Sequence, residues 1–148
     1  MKNFVIIMLS VLIFVCGCTK NNADLEGKYS ENNYSIHPID KAETECISKV
    51  YSTYDISQCS YKAMNSWYKE IDKYLKLLKT VAPRDDYANI LQSQTDWEKY
   101  QKSEFETTNV VLNKQGTMFQ NTAAGLKANI VKERALELKK LYDILVYR

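Results

Sequence analysis
Residues 55–78 read DISQCSYKAMNSWYKEIDKYLKLL. Within them Ile56, Cys59, Ala63, Trp67, Ile71, Tyr74 and Leu78 recur at steps of three or four, the spacing that lays side chains along one face of an α-helix. Tyr61, Met64, Tyr68 and Leu75 form a second stripe beside the first and widen the apolar sector. A helix apolar over so broad an arc is expected to be central and to pack against two neighbours. Asp55 reads as its N-cap, with Gln58 at N3 and Tyr54 and Cys59 at the positions of a hydrophobic staple.

Working outward, Ala42 to Val50 allows one short helix before the turn at Tyr51 to Tyr54. On the other side Ala82-Pro83-Arg84-Asp85 breaks the pattern. Ile90, Trp97, Phe105 and Leu112 then recur at steps of seven or eight over a helix from Asp86 to about Asn113, ending before Gly116. From about Thr117 a last helix carries Ala124, Ala128, Val131, Ala135, Leu138, Tyr142 and Leu145, stepping by four and three in alternation. Gly125 weakens its first turns by about 1 kcal/mol relative to Ala. Three long helices, one short helix and no strand-period segment predict an all-α, up-and-down bundle over residues 41–148.

The opening residues read differently. Met1 and Lys2 precede an apolar run from Phe4 to Val15 that is broken only by Ser10. That run is too short to span a bilayer and fits the core of a secretory signal. Gly17 directly before Cys18 resembles a bacterial lipobox, so residues 1–17 are expected to be a lipoprotein signal peptide and Cys18 the lipidation site, a membrane anchor held by several acyl chains. Thr19, in place of an Asp, favours the periplasmic face of the outer membrane in a diderm cell. The Asn-, Ser- and Lys-rich stretch that completes 18–40 reads as a flexible tether, with His37 a solvated loop side chain.

Removing the leader leaves Cys46 and Cys59 in an oxidising compartment with one possible pairing. Their spacing is not Cys-x-x-Cys, and no second cysteine pair or histidine cluster accompanies them. A structural disulfide is expected in preference to a redox pair or a zinc site, and it would contribute roughly 3 kcal/mol.

Charge narrows the function classes. The chain has 20 basic and 18 acidic residues, a formal +2, which is too balanced for general nucleic-acid binding. One histidine leaves no multi-His metal site and no Ser-His-Asp machine outside His37, so no cofactor, metal or catalytic residue is expected. The balance nevertheless hides an asymmetry. Between Asp85 and Glu106 six acids face only Lys99 and Lys102, whereas from Lys114 to Arg148 seven bases face three acids. Either these two helices are neighbours whose flanks attract one another, or Arg84, Asp85, Asp86, Asp96 and Glu98, with Glu104 and Glu106, offer an acidic surface to a basic partner.

Order and spacing of several residues carry a family resemblance. Cys46 and Cys59 flank Asp55. Gln94, Trp97 and Tyr100 follow a Gln-x-x-Trp-x-x-aromatic pattern on the third helix, and Arg134, Leu138 and Leu141 an Arg-x-x-x-Leu-x-x-Leu pattern on the last. Over roughly Glu45 to Tyr142 the chain resembles the lysozyme-inhibitor LprI-like family of small exported helical domains. Gln101 departs from the Arg usual there, and Phe105 and Leu126 stand where that family's second cysteine pair falls. The resemblance implies a non-enzymatic protein whose partner is lysozyme or a related muramidase. The alternative is a structural or adaptor envelope lipoprotein that docks another protein through Tyr61 and Tyr68. Oligomeric state is not encoded in any of these patterns.

Overall fold
The computed structural model describes residues 36–114, 116 and 119–147. The expected signal peptide, Cys18 and the tether up to Ser35 lie outside the described residues. Four helices follow in order: α1 (Pro38–Ile47), α2 (Thr53–Val81), α3 (Arg84–Asn113) and α4 (Gln120–Val146). The all-α bundle of three long helices and one short one is what the periodicities specify, and Cys46 and Cys59 form its disulfide, with Cα atoms 5.7 Å apart.

All four helix starts differ from expectation: α3 begins at Arg84, before Asp86, and α4 at Gln120, after Thr117, while α1, which ends at Ile47 and not Val50, and α2 differ in their caps. Ser52, rather than Asp55, caps α2: its Oγ accepts the Asp55 N–H at 3.0 Å and donates to the Asp55 carboxylate at 2.5 Å. Ser52 is thus the N-cap and Asp55 the N3 residue, three residues earlier than the pair centred on Asp55, with the Asp55 carboxylate accepting from the Ser52 hydroxyl. Helix α1 begins at Pro38, four residues before Ala42. Pro38 lacks an N–H that the first turn would leave unpaired anyway, and His37 supplies the cap by accepting the Ile39 N–H on Nδ1 at 3.2 Å. His37 is therefore not a solvated loop residue. Its ring lies 4.3 Å from that of Trp67, and Asp40, one turn on, pairs with Lys132 of α4 at 2.7 Å.

The core is built where α2 meets α4. Trp67, Ile71 and Leu78 interlock with Val131, Ala135 and Leu138, all essentially buried. Ala124, Ala128 and Ala135 are small enough to let the α4 backbone approach the large side chains of α2. Helices α2 and α4 run parallel. Ser57 hydrogen-bonds Asn121 near their N-terminal ends, and Tyr74 stacks obliquely on Tyr142 near their C-terminal ends. Helix α3 runs antiparallel to α4, since Asn109 meets Lys127 and Gln94 meets Arg134. The two principal neighbours of α2 are α4 and α1, whereas α3 leans on α4 and touches α2 only marginally. Gly116, at φ 87°, lies in the connection that reverses the chain between α3 and α4.

Candidate partner-binding surface
Pro83 precedes α3 and fixes the turn, so Arg84 is the first helical residue and Asp85 and Asp86 fall in the first turn. Two carboxylates there complement the positive end of the helix dipole. All three side chains are exposed. Asp96 lies eleven residues after Asp85, about three turns further along and rotated by only about 20°, which puts both on the same outward strip. Asp96 is exposed, and hydrogen bonds from Lys99 (2.8 Å) and Gln92 (3.1 Å) hold its carboxyl below the usual carboxylate range. Glu98 stands on the flank instead, where its carboxylate accepts from the Gln94 amide at 3.1 Å.

The expected mutual neutralisation of α3 and α4 is not seen. Among the described residues no ion pair joins the two helices: Lys99 pairs with Asp96 inside α3, and Lys139 with Asp143 inside α4. The links between them are polar, and the one from Arg134 to Gln94 is buried. Arg134, only 4% exposed, donates from Nε to Gln94 Oε1 at 3.0 Å and from Nη2 to Ser93 Oγ at 3.3 Å. Its Nη1 meets the exposed Glu137 carboxylate at 2.7 Å. Among the described residues no base of α4 therefore pairs with an α3 acid, and Asp96 is paired only within its own helix.

Gln94 and Arg134, forty residues apart, are thus direct partners, with Leu138 fully buried one turn beyond and Trp97 packed on the same core. Tyr100 does not join them. It is 53% exposed and belongs to the outward strip, one turn from Asp96 on one side and Glu104 on the other. Composition gave no signal of this, because Trp97 and Tyr100 sit in one motif; only the helical angle separates the core aromatic from the surface one. Among the described residues no group of three or more His, Cys, Asp or Glu side chains is placed to hold a metal ion.

The comparisons with known proteins give the family. A family model described as lysozyme inhibitor LprI covers residues 45–138. The chain belongs to the LprI lysozyme-inhibitor family. The family's described function is inhibition, which is binding and not catalysis. The fold is also similar to the crystal structure of an uncharacterised protein from Burkholderia thailandensis, with a TM-score of 0.70 and 30% sequence identity. That match covers 76% of this chain and 57% of the other, so this chain spans little more than half of its structural relative. No curated protein matches the chain significantly.

Departures from the expected LprI pattern have visible consequences. Gln101 donates from Nε2 to the Tyr68 hydroxyl at 2.6 Å and so ties α3 to α2. Burial, more than any neighbouring charge, raises the Tyr68 phenol above its ordinary value. Phe105 packs against the core, but Leu126 is largely exposed, so the two do not form a mutual apolar substitute for a bridge. At that level α3 is instead joined to α4 by Lys127, whose Nζ lies 2.5 Å from Asn109 Oδ1 and 5.6 Å from the Phe105 ring centre.

Proposed function
We propose that this chain is a lipid-anchored envelope protein that binds and inhibits lysozyme-type peptidoglycan hydrolases through the outward strip of α3. The supporting observation is an exposed tyrosine set between carboxylates that no α4 base neutralises: Tyr100 with Asp96 and Glu104, continued by Asp85 and Asp86 at the helix start. Tyrosine supplies large contact area at small entropic cost, and the surrounding acids steer a basic enzyme into register. In this reading Cys18 carries the lipid on the periplasmic face of the outer membrane of a diderm cell, and the tether lifts the bundle toward the wall.

The test uses Cys18→Ser protein, folded and oxidised, titrated against lysozyme digesting cell walls. Turnover falls with the parent protein. Tyr100→Ala weakens inhibition at least tenfold, and Asp96→Lys with Glu104→Lys weakens it further and removes its salt dependence. Unchanged turnover with the parent protein at micromolar levels would refute the reading for the enzyme tested. The adaptor alternative has less support, because Tyr68 is engaged by Gln101 and half-buried and Tyr61 is turned toward a cleft between helices.

A further inference from the structure
The N-terminal ends of α2 and α4 and the C-terminal end of α3 enclose a cleft of about 260 Å³ that the α3 strip does not reach. Ser57, Tyr61, Asn109, Ala123 and Lys127 are among its lining residues, and among the described residues no Asp or Glu lines it. Its volume is room for on the order of eight waters, below the usual range for drug-sized ligands and suited to a small one.

Lys127 is the chemical oddity of this cleft. It is 8% exposed, and its one hydrogen-bond acceptor among the described residues is the neutral amide of Asn109. Lys127 is the one buried lysine among the described residues, and no carboxylate lies within ion-pair distance of it there. Burial accordingly holds its ammonium below the ordinary lysine value. A buried cation without a counter-charge is costly, and leucine or methionine would fill the same space without that cost. The face of Phe105 offsets part of it. The first turn of α4, which borders the cleft at Gln120 and Ala123, has no side-chain cap and no acid, so its N–H groups add to the same positive field. Helix α2, in contrast, has its own cap in Ser52 and Asp55.

We infer that this cleft is a binding site for a small organic carboxylate, no larger than an acylated amino acid, whose carboxylate pairs with Lys127 while the side-chain NH2 of Asn109 donates to it. The inference is independent of the lysozyme reading and uses a different end of the bundle. Such a carboxylate is either a free small molecule or the terminus of a peptide.

The experiment is isotope-edited NMR on the oxidised full-length chain, titrated with N-acetylalanine, its carboxamide, and a tripeptide ending in alanine. Saturable shifts confined to Ser57, Asn109, Ala123 and Lys127 are expected with the carboxylates, at least tenfold weaker with the carboxamide. Preference for N-acetylalanine identifies a free acid as the source, and preference for the tripeptide a chain terminus. Lys127→Met abolishes the shifts while melting at or above the parent temperature. Ala123→Leu, which fills the cleft and leaves Lys127 in place, also abolishes them. Equal binding of the carboxamide, retained binding in Lys127→Met, or no saturation by either carboxylate would overturn the assignment.

Discussion
Two single residues show how local chemistry sets stability in this bundle. Gly125 lies inside α4, and a Cβ built on it would meet nothing within 4 Å. Its cost is therefore purely that of backbone entropy, with no packing reason to retain it. Gly125→Ala is expected to raise stability by about 1 kcal/mol in urea unfolding, whereas Gly116→Ala, at φ 87°, lowers it. Arg134 is the opposite case. Its planar fork satisfies the buried Gln94 and the exposed Ser93 while another nitrogen reaches the exposed Glu137. Arg134→Ala leaves the buried Gln94 carbonyl unmatched and opens a void, which costs about 2–4 kcal/mol. Arg134→Lys keeps the charge but engages fewer partners and recovers only part of that loss. An alanine variant as stable as the parent would show that the Arg134 network, buried and exposed contacts together, adds no net stability.

At the scale of elements, α1 is the dependent piece. Among the described residues none of its side chains is fully buried, and ten residues are too few for a stable isolated helix. It is pinned at its start by His37 on Trp67 and by Asp40 on Lys132, and near its end by the disulfide to α2. Reduction, or Cys46→Ser with Cys59→Ser, is expected to cost roughly 3 kcal/mol and to lower helical signal by about the content of α1, as read by circular dichroism against urea. Full retention of both would mean that the polar pins suffice. The same element marks where the sequence stopped being legible. The stripes of α2 and α4 were readable because they bury one face over six or more turns, and period follows directly from burial. The start of α1 was not, because Asn- and Ser-rich residues lead into it and its cap is a histidine held by a tryptophan thirty residues away. The exposed position of Tyr100 and the meeting of Gln94 with Arg134 were likewise beyond reach, since each depends on how α3 is rotated against α4.

For the whole molecule, the unequal packing of the three long helices separates stability from recognition. Among the described residues helices α2 and α4 hold every fully buried large side chain, while on α3 Ile90, Trp97 and Phe105 are only partly covered and Gln94 is the one buried residue. Opening α3 therefore exposes less apolar surface than opening the parallel pair, and its amides are expected to exchange with solvent sooner than those in the middle of α2 and α4. A partner that docks on the outward strip binds only while α3 is in place, so it opposes that opening by mass action. At a free concentration of about one hundred times Kd the added protection is about 2.7 kcal/mol, a slowing of about one hundredfold. Hydrogen exchange with and without lysozyme would then show α3 from Asp85 to Glu106 slowed by this factor, with the residues around Lys127 unaffected. Protection centred on the N-terminal turns of α2 and α4 would instead place the protein partner at the cleft and detach recognition from the acidic helix.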